Sequence, residues 1–369
     1  MKAIYILPNN IQDIENHLAK LELDKDVKSV LFFMADDFHY SKEKLNPLLK
    51  QITKPIIGGM FPELIYQGER KKSGVLLVPL EFKLITQLFD LSQSPEEFPK
   101  YLEVAQKDSL NPSSALFIFM DALSSNKDSF IESLFNFFGI NTSYIGGGAG
   151  SLSFKPCNCL ISNDGVNVNA AVIGWADKKI ALGVAHGWEP ISEPLKITET
   201  DYTELKGINW KPAFEVYKEI VESHSGMKFK ADKFFGLAKS YPFGISKIDA
   251  EMVVRDPVRL TDNTIHFVDK ISEGEYVNIL HGNMESLLTG AAKAKEMAFS
   301  NSEEGMDRNT IFCIDCISRV LFMEDAFKEE LVAIGQGLNV NGILTIGEIA
   351  NSGESFLEIY NKTIVVAIW

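Results

Sequence analysis

The chain has 369 residues, 46% of them hydrophobic, with 50 acidic against 36 basic side chains and a formal net charge of -14. That is enough apolar material for one large core or two ordinary ones. An acidic surface repels phosphate backbones and excludes general nucleic-acid binding. No apolar run approaches the roughly 20 residues of a membrane span, and four cysteines in this length do not make a disulfide scaffold. The expectation is a cytoplasmic protein with reduced thiols.

The opening run is stopped at Pro8 without a small-residue cleavage site, so it reads as a buried strand and not as a signal peptide. Ile11 to Leu23 carries apolar residues at helical spacing. Ser29 to Met34 is a continuous apolar run, as in a strand covered on both faces. Ser41 opens a second helix, Lys54 to Gly59 is a strand running into a glycine pair, and Gly74 to Leu80 is another strand. The order then recurs roughly ninety positions later: a helix over Phe98 to Ala105, a strand over Ser114 to Met120, a helix over Asn126 to Phe138, and a strand into Gly146-Gly147-Gly148. Strands follow at Ala170 to Trp175 and Ile180 to Val184. This predicts an internal duplication.

Pro190 to Thr200 holds two prolines and few long apolar runs, which places a boundary there. Beyond it come a helix over Pro212 to Glu222, a turn at Ser240 to Gly244, and an antiparallel meander over Glu251 to Val254, Ile265 to Val268 and Tyr276 to Leu280. Helices over Met284 to Phe299 and Glu324 to Ile334 alternate with strands over Asn309 to Ile314, Gly342 to Ile346 and Thr363 to Ile368. The predicted class is α/β (α+β), with two layered sheets and outer helices. A duplicated N-terminal half (residues 1–195) precedes a smaller mixed C-terminal domain (residues 196–369).

Gly146-Gly147-Gly148 lets the backbone approach a ligand closely. It lacks the following helix of a dinucleotide fingerprint and the Gly-Lys-Ser/Thr of a phosphate loop. Cys157, Cys159, Cys313 and Cys316 are all the cysteines; four thiolates suit zinc, but Cys313 lies in an apolar strand whose alternate residues diverge. A redox role needs a helix N-terminus at the second pair, which is not expected there. Among six histidines none shows metal spacing; His186 and His281, each before a glycine, are the candidates for an axial haem ligand. Arg319 follows a buried strand and needs a carboxylate, Glu330 or Glu348, which would leave its fork for a ligand carboxylate.

Taken together, Ile56-Ile57-Gly58-Gly59, Ile145 to Gly150, Gly187-Trp188-Glu189-Pro190, Val254-Arg255, Gly274 to Val277, Cys316 to Arg319, Gly347-Glu348-Ile349 and Tyr360 to Thr363 resemble the FIST N-terminal and C-terminal pattern along almost the whole chain. The chain departs from it at Met60-Phe61-Pro62-Glu63 and at Tyr360. The resemblance implies a sensory, signal-transduction protein that binds a small molecule and signals in trans to a partner such as a histidine kinase. Arg319, Glu348, Arg255, Cys316, Gly146, Gly147 and Gly148 are the expected ligand contacts. Alternatives are a nitric-oxide sensor with non-covalent haem and an enzyme using Cys316 as nucleophile. The ligand and any cofactor stay unassigned.

Overall fold

In the computed structural model, residues 2–8, 10–105, 115–230, 233–247, 251–351 and 356–369 are described. Ser114 and part of the Gly/Ser/Asn loop near 352–355 lie outside them. The α+β class holds, but the described residues form four sheets: three of six strands and one of nine.

The three six-stranded sheets are versions of one unit. Each unit has two parallel strands joined through helix: Ser29–Ala35 with Ile56–Phe61, Ala115–Asp121 with Ser143–Ala149, and Thr310–Cys316 with Asn339–Thr345. Each first strand has an antiparallel neighbour from the end of its own unit: Val75–Leu80, Ala170–Ala176 and Ile364–Ile368. Each second strand is followed by a hairpin that leaves its own sheet. The hairpin starting at Glu63 joins Asn339–Thr345, the one starting at Leu160 joins Ile56–Phe61, and the one starting at Glu348 joins Ser143–Ala149. The exchange closes a ring of three, so the predicted duplication is a triplication. Its third copy escapes notice because residues 186–283 are inserted after that copy's edge strand, Ala181–Ala185.

The sequence builds this arrangement with strands that are apolar on both faces. Phe33, Phe119 and Phe312 of the three units meet inside the ring at 5.2 Å and 5.7 Å between centroids. Trp369 closes one end against Phe117 and Phe312. Alternate residues, such as Ile118 and Cys313, face helices instead. One glycine recurs at the same place in each unit. A Cβ on Gly58, Gly146 or Gly342 would sit 1.9, 1.7 or 1.8 Å from the carbonyl oxygen of Phe32, Ile118 or Cys313.

The insertion carries the nine-stranded sheet and the helices Ala213–Ser225 and Phe234–Ala238. The expected boundary segment near Pro190 to Thr200 is part of it: Leu195–Asp201 is a strand paired to Tyr276–His281. The insertion meets the ring through apolar packing, sharing hydrophobic clusters with it, and through ion pairs. Lys127 reaches Asp269 at 2.5 Å, Lys362 reaches Asp256 at 3.2 Å and Lys247 reaches Glu358 at 2.6 Å.

Gly146→Ala forces backbone apart and is expected to cost about 3 kcal/mol or more of unfolding free energy. Gly236→Ala, where a Cβ meets open space, is expected to shift it by about 1 kcal/mol or less. Urea denaturation of the two variants checks this, and equal effects would refute the close-approach explanation.

Candidate functional site

Thr310–Cys316 runs straight into the helix Ile317–Met323, with Cys316 at its N-cap. A helix therefore does begin at the second pair of cysteines, against expectation. It carries Arg319, fully buried beside Glu330. The guanidinium forms a two-point pair with Glu330, Nε to Oε1 and Nη2 to Oε2, both at 2.9 Å. Its remaining N–H groups donate to the carbonyls of His186 at 2.6 Å, Lys362 at 3.1 Å and Leu287 at 3.2 Å. All five donors are thus used inside the protein. Glu330 is the carboxylate partner that the sequence demanded, but no part of the fork is left for a ligand carboxylate.

Asp315, 3.4 Å from Arg319 Nε, and Glu348 are buried in the same region. Glu348 accepts from Thr345 Oγ1 at 2.7 Å and from the Thr363 amide at 3.3 Å. Burial pushes its carboxyl up to about 8, and burial likewise holds Asp315 well above the usual carboxylate range. The other units show that this charge is not demanded by the fold. Two positions beyond the residue facing the recurring glycine, they have Met34 and Met120 where the third has Asp315. At the hairpin position paired to the residue after that glycine, they have Leu64 and Leu160 where the third has Glu348.

The predicted residues come together in part. Gly147 pairs with Glu348, a Cβ on it would meet Thr345 at 2.5 Å, and a Cβ on Gly148 would meet the Ile346 carbonyl at 2.1 Å. The glycines and the acidic cluster therefore converge on packed backbone. Arg255 sits apart at the insertion boundary, donating to the carbonyls of Lys270, Val254 and Ile359. Cys316 is buried, with its sulfur 3.3 Å from Ser318 Oγ, and burial raises its thiol pKa. That environment keeps a thiol protonated, the opposite of what a nucleophile needs. Among the described residues, no group of three or more His, Cys, Asp or Glu is placed to hold a metal ion.

An open space lies next to this cluster, where the chain leaves the ring for the insertion and returns. The outgoing segment His186-Gly187-Trp188 and the returning His281-Gly282-Asn283 run side by side, Glu189 pairing with His281. Between them and the helix Met284–Asn301 is a cleft of about 490 Å³. Glu189 and Glu251 line it from the insertion; Ser286, Thr289, Gly290 and Lys293 line it from the helix. Gly187, at φ +78, lets the loop lie against that helix: a Cβ there would meet the Ser286 carbonyl at 2.2 Å. Lys293 pairs with Glu251 at 2.8 Å.

His186 stands behind the cleft, 2% exposed. Its Nδ1 accepts the Trp188 amide at 2.8 Å. A backbone N–H can only donate, so neutral His186 carries its proton on Nε2. That nitrogen points to Glu251 Oε1 at 3.4 Å without a hydrogen bond. Burial lowers the imidazole pKa to about 4, which keeps it neutral. An axial haem ligand needs a free imidazole lone pair; Nδ1 has spent its own, and Nε2 carries hydrogen. His281 is half-buried and packs its ring 4.9 Å from those of His224 and Tyr241. His186 does not fit haem as it is held.

Sequence reading missed Glu251, Thr289 and the cleft role of Lys293. Their partners are distant in the chain, and nothing local marks them. Asp315 did carry a signal: an acid within the otherwise apolar run Thr310–Cys316.

The described residues thus form a ring of three exchanged units with a sheet-bearing insertion, and a cleft lies at the two-stranded crossing between them. Residues 28–211 match the FIST N domain and residues 213–351 the FIST C domain. The chain belongs to the FIST-domain proteins, and such domains are linked to signal transduction and small-ligand sensing. No curated protein matches it significantly. No helix among the described residues is long and apolar enough to cross a membrane.

Because Glu348 titrates higher folded than unfolded, the folded protein binds the extra proton between the ordinary carboxylate range and about pH 8. Its contribution to stability is present at low pH and falls as pH rises through that window. Denaturation at about pH 5 and about pH 8 is expected to show Glu348→Gln gaining on wild type at the higher pH. A difference that stays constant with pH would contradict the assignment.

Proposed function

We propose that this protein is a small-ligand sensor whose ligand occupies the cleft at the crossing between ring and insertion. One observation carries the reading: a cleft of about 490 Å³ has walls on both sides of a two-stranded, glycine-flanked crossing. Its volume is in the range of small-molecule sites. A ligand touching Glu251 or Glu189 on one side and Lys293 or Thr289 on the other stabilises one arrangement of the two parts, which is a population shift. Arg319 holds the crossing in place without touching the ligand. The output goes to a signalling protein, a histidine kinase in the form implied by the family resemblance.

A haem-based nitric-oxide sensor is not favoured, because the Trp188 amide occupies the nitrogen that would free His186 for iron. An enzyme using Cys316 is not favoured, because that thiol is buried and its pKa is raised.

A metabolite screen by thermal shift is expected to find compounds that raise the melting temperature of wild type. Thr289→Trp, which fills the cleft from an exposed helix position, is expected to abolish that rise. Shifts that persist in Thr289→Trp would place the ligand elsewhere and overturn the reading.

A further inference from the structure

A second opening lies wholly within the insertion and takes no part in the cleft. It is about 360 Å³, between the helix Ala213–Ser225, the segment carrying Phe229 and Lys230, and the end of the strand Pro257–Thr261. Its walls are aromatic. Phe229 and Phe234 stack at 5.5 Å with 20° between planes, and Phe214 meets them edge-on at 5.4 Å and 6.1 Å. Behind them Tyr217 is fully buried, stacked on Phe243 at 5.1 Å and fixed by donating to the Tyr241 carbonyl at 2.8 Å. The wall is thus braced from within, while Phe214 and Phe229 remain only half-buried.

The mouth of the opening carries Lys218 and Lys230 against Asp262. Neither ammonium has an ion-pair partner within 4 Å among the described residues. Among the charged residues that line the opening, two lysines face one acid, in a chain whose net charge is -14. A local reversal of sign at a concave, aromatic-walled opening attracts anions where the rest of the surface repels them. Ring stacking selects flat π systems over alkyl chains.

We propose that this opening is a second binding site, for a planar aromatic anion of one or two fused rings bearing a carboxylate or comparable acid. The rings lie against Phe214 and Phe229, and the acid faces Lys218 and Lys230. The site is independent of the cleft at the crossing, so either assignment stands if the other fails.

The test uses 2-naphthoate and its neutral counterpart 2-naphthol, each titrated into the full chain by calorimetry. One-to-one binding of 2-naphthoate is expected. Lys218→Glu with Lys230→Glu, both exposed positions, is expected to weaken 2-naphthoate about tenfold and 2-naphthol by no more than about twofold. Phe229→Ala is expected to weaken both about tenfold, with circular dichroism confirming that it folds. Thr289→Trp is expected to change neither. The proposal is overturned if 2-naphthoate shows no saturable binding up to about 1 mM, if the charge reversal leaves its affinity unchanged, or if Thr289→Trp abolishes its binding.

Discussion

The arrangement depends on one buried guanidinium. Arg319 joins four pieces of chain that are remote in sequence: the outgoing crossing at His186, the helix at Leu287, the last strand's approach at Lys362, and Glu330 on the helix Phe327–Gly335. Burying such a charge costs several kcal/mol unless every donor is met, and here each is. Its N–H groups satisfy the carbonyls of His186 and Lys362, which lie outside regular strands and helices. The crossing is therefore fixed on the ring side by a side chain rather than by sheet hydrogen bonds.

Around that point the third unit departs from its siblings. The first two units place Met34, Met120, Leu64 and Leu160 where the third places Asp315 and Glu348. A buried charged cluster adds little to stability compared with apolar residues of similar volume. It lies where the ring meets the cleft. Lys362 extends the same network outward. Fully buried, it reaches Asp256 at 3.2 Å, donates to the Lys239 carbonyl at 3.1 Å and lies 5.1 Å over the Trp188 ring. The network so runs from Trp188 at the wall of the cleft to the contacts at Asp256 and Lys239 in the insertion.

Much of this was legible in the chain. Apolar runs at Ser29, Ala115 and Thr310 are strands covered on both faces, and such runs say so directly. The glycines from 146 to 148 announced close approach, though what approaches is the neighbouring chain and not a ligand. The need of Arg319 for a carboxylate was readable from its position after a buried strand, and Glu330 meets it. The carbonyls of His186, Leu287 and Lys362 were not readable, because backbone acceptors leave no trace in residue identity. The third unit was hidden by the insertion, and the helix after Cys316 by its brevity. The cleft was beyond reach, since Glu251 and Lys293 become neighbours only when two crossing segments are laid side by side.

Hydrogen exchange on the double variant Arg319→Met, Glu330→Met tests the central claim most directly, because it removes the latch together with its two-point carboxylate partner. Amides of residues 186–190 and 276–283 are predicted to exchange about tenfold faster or more, while those in Ser29–Ala35 and Ala115–Asp121 keep their wild-type protection. Equal acceleration throughout the chain, or none at the crossing, would contradict the account.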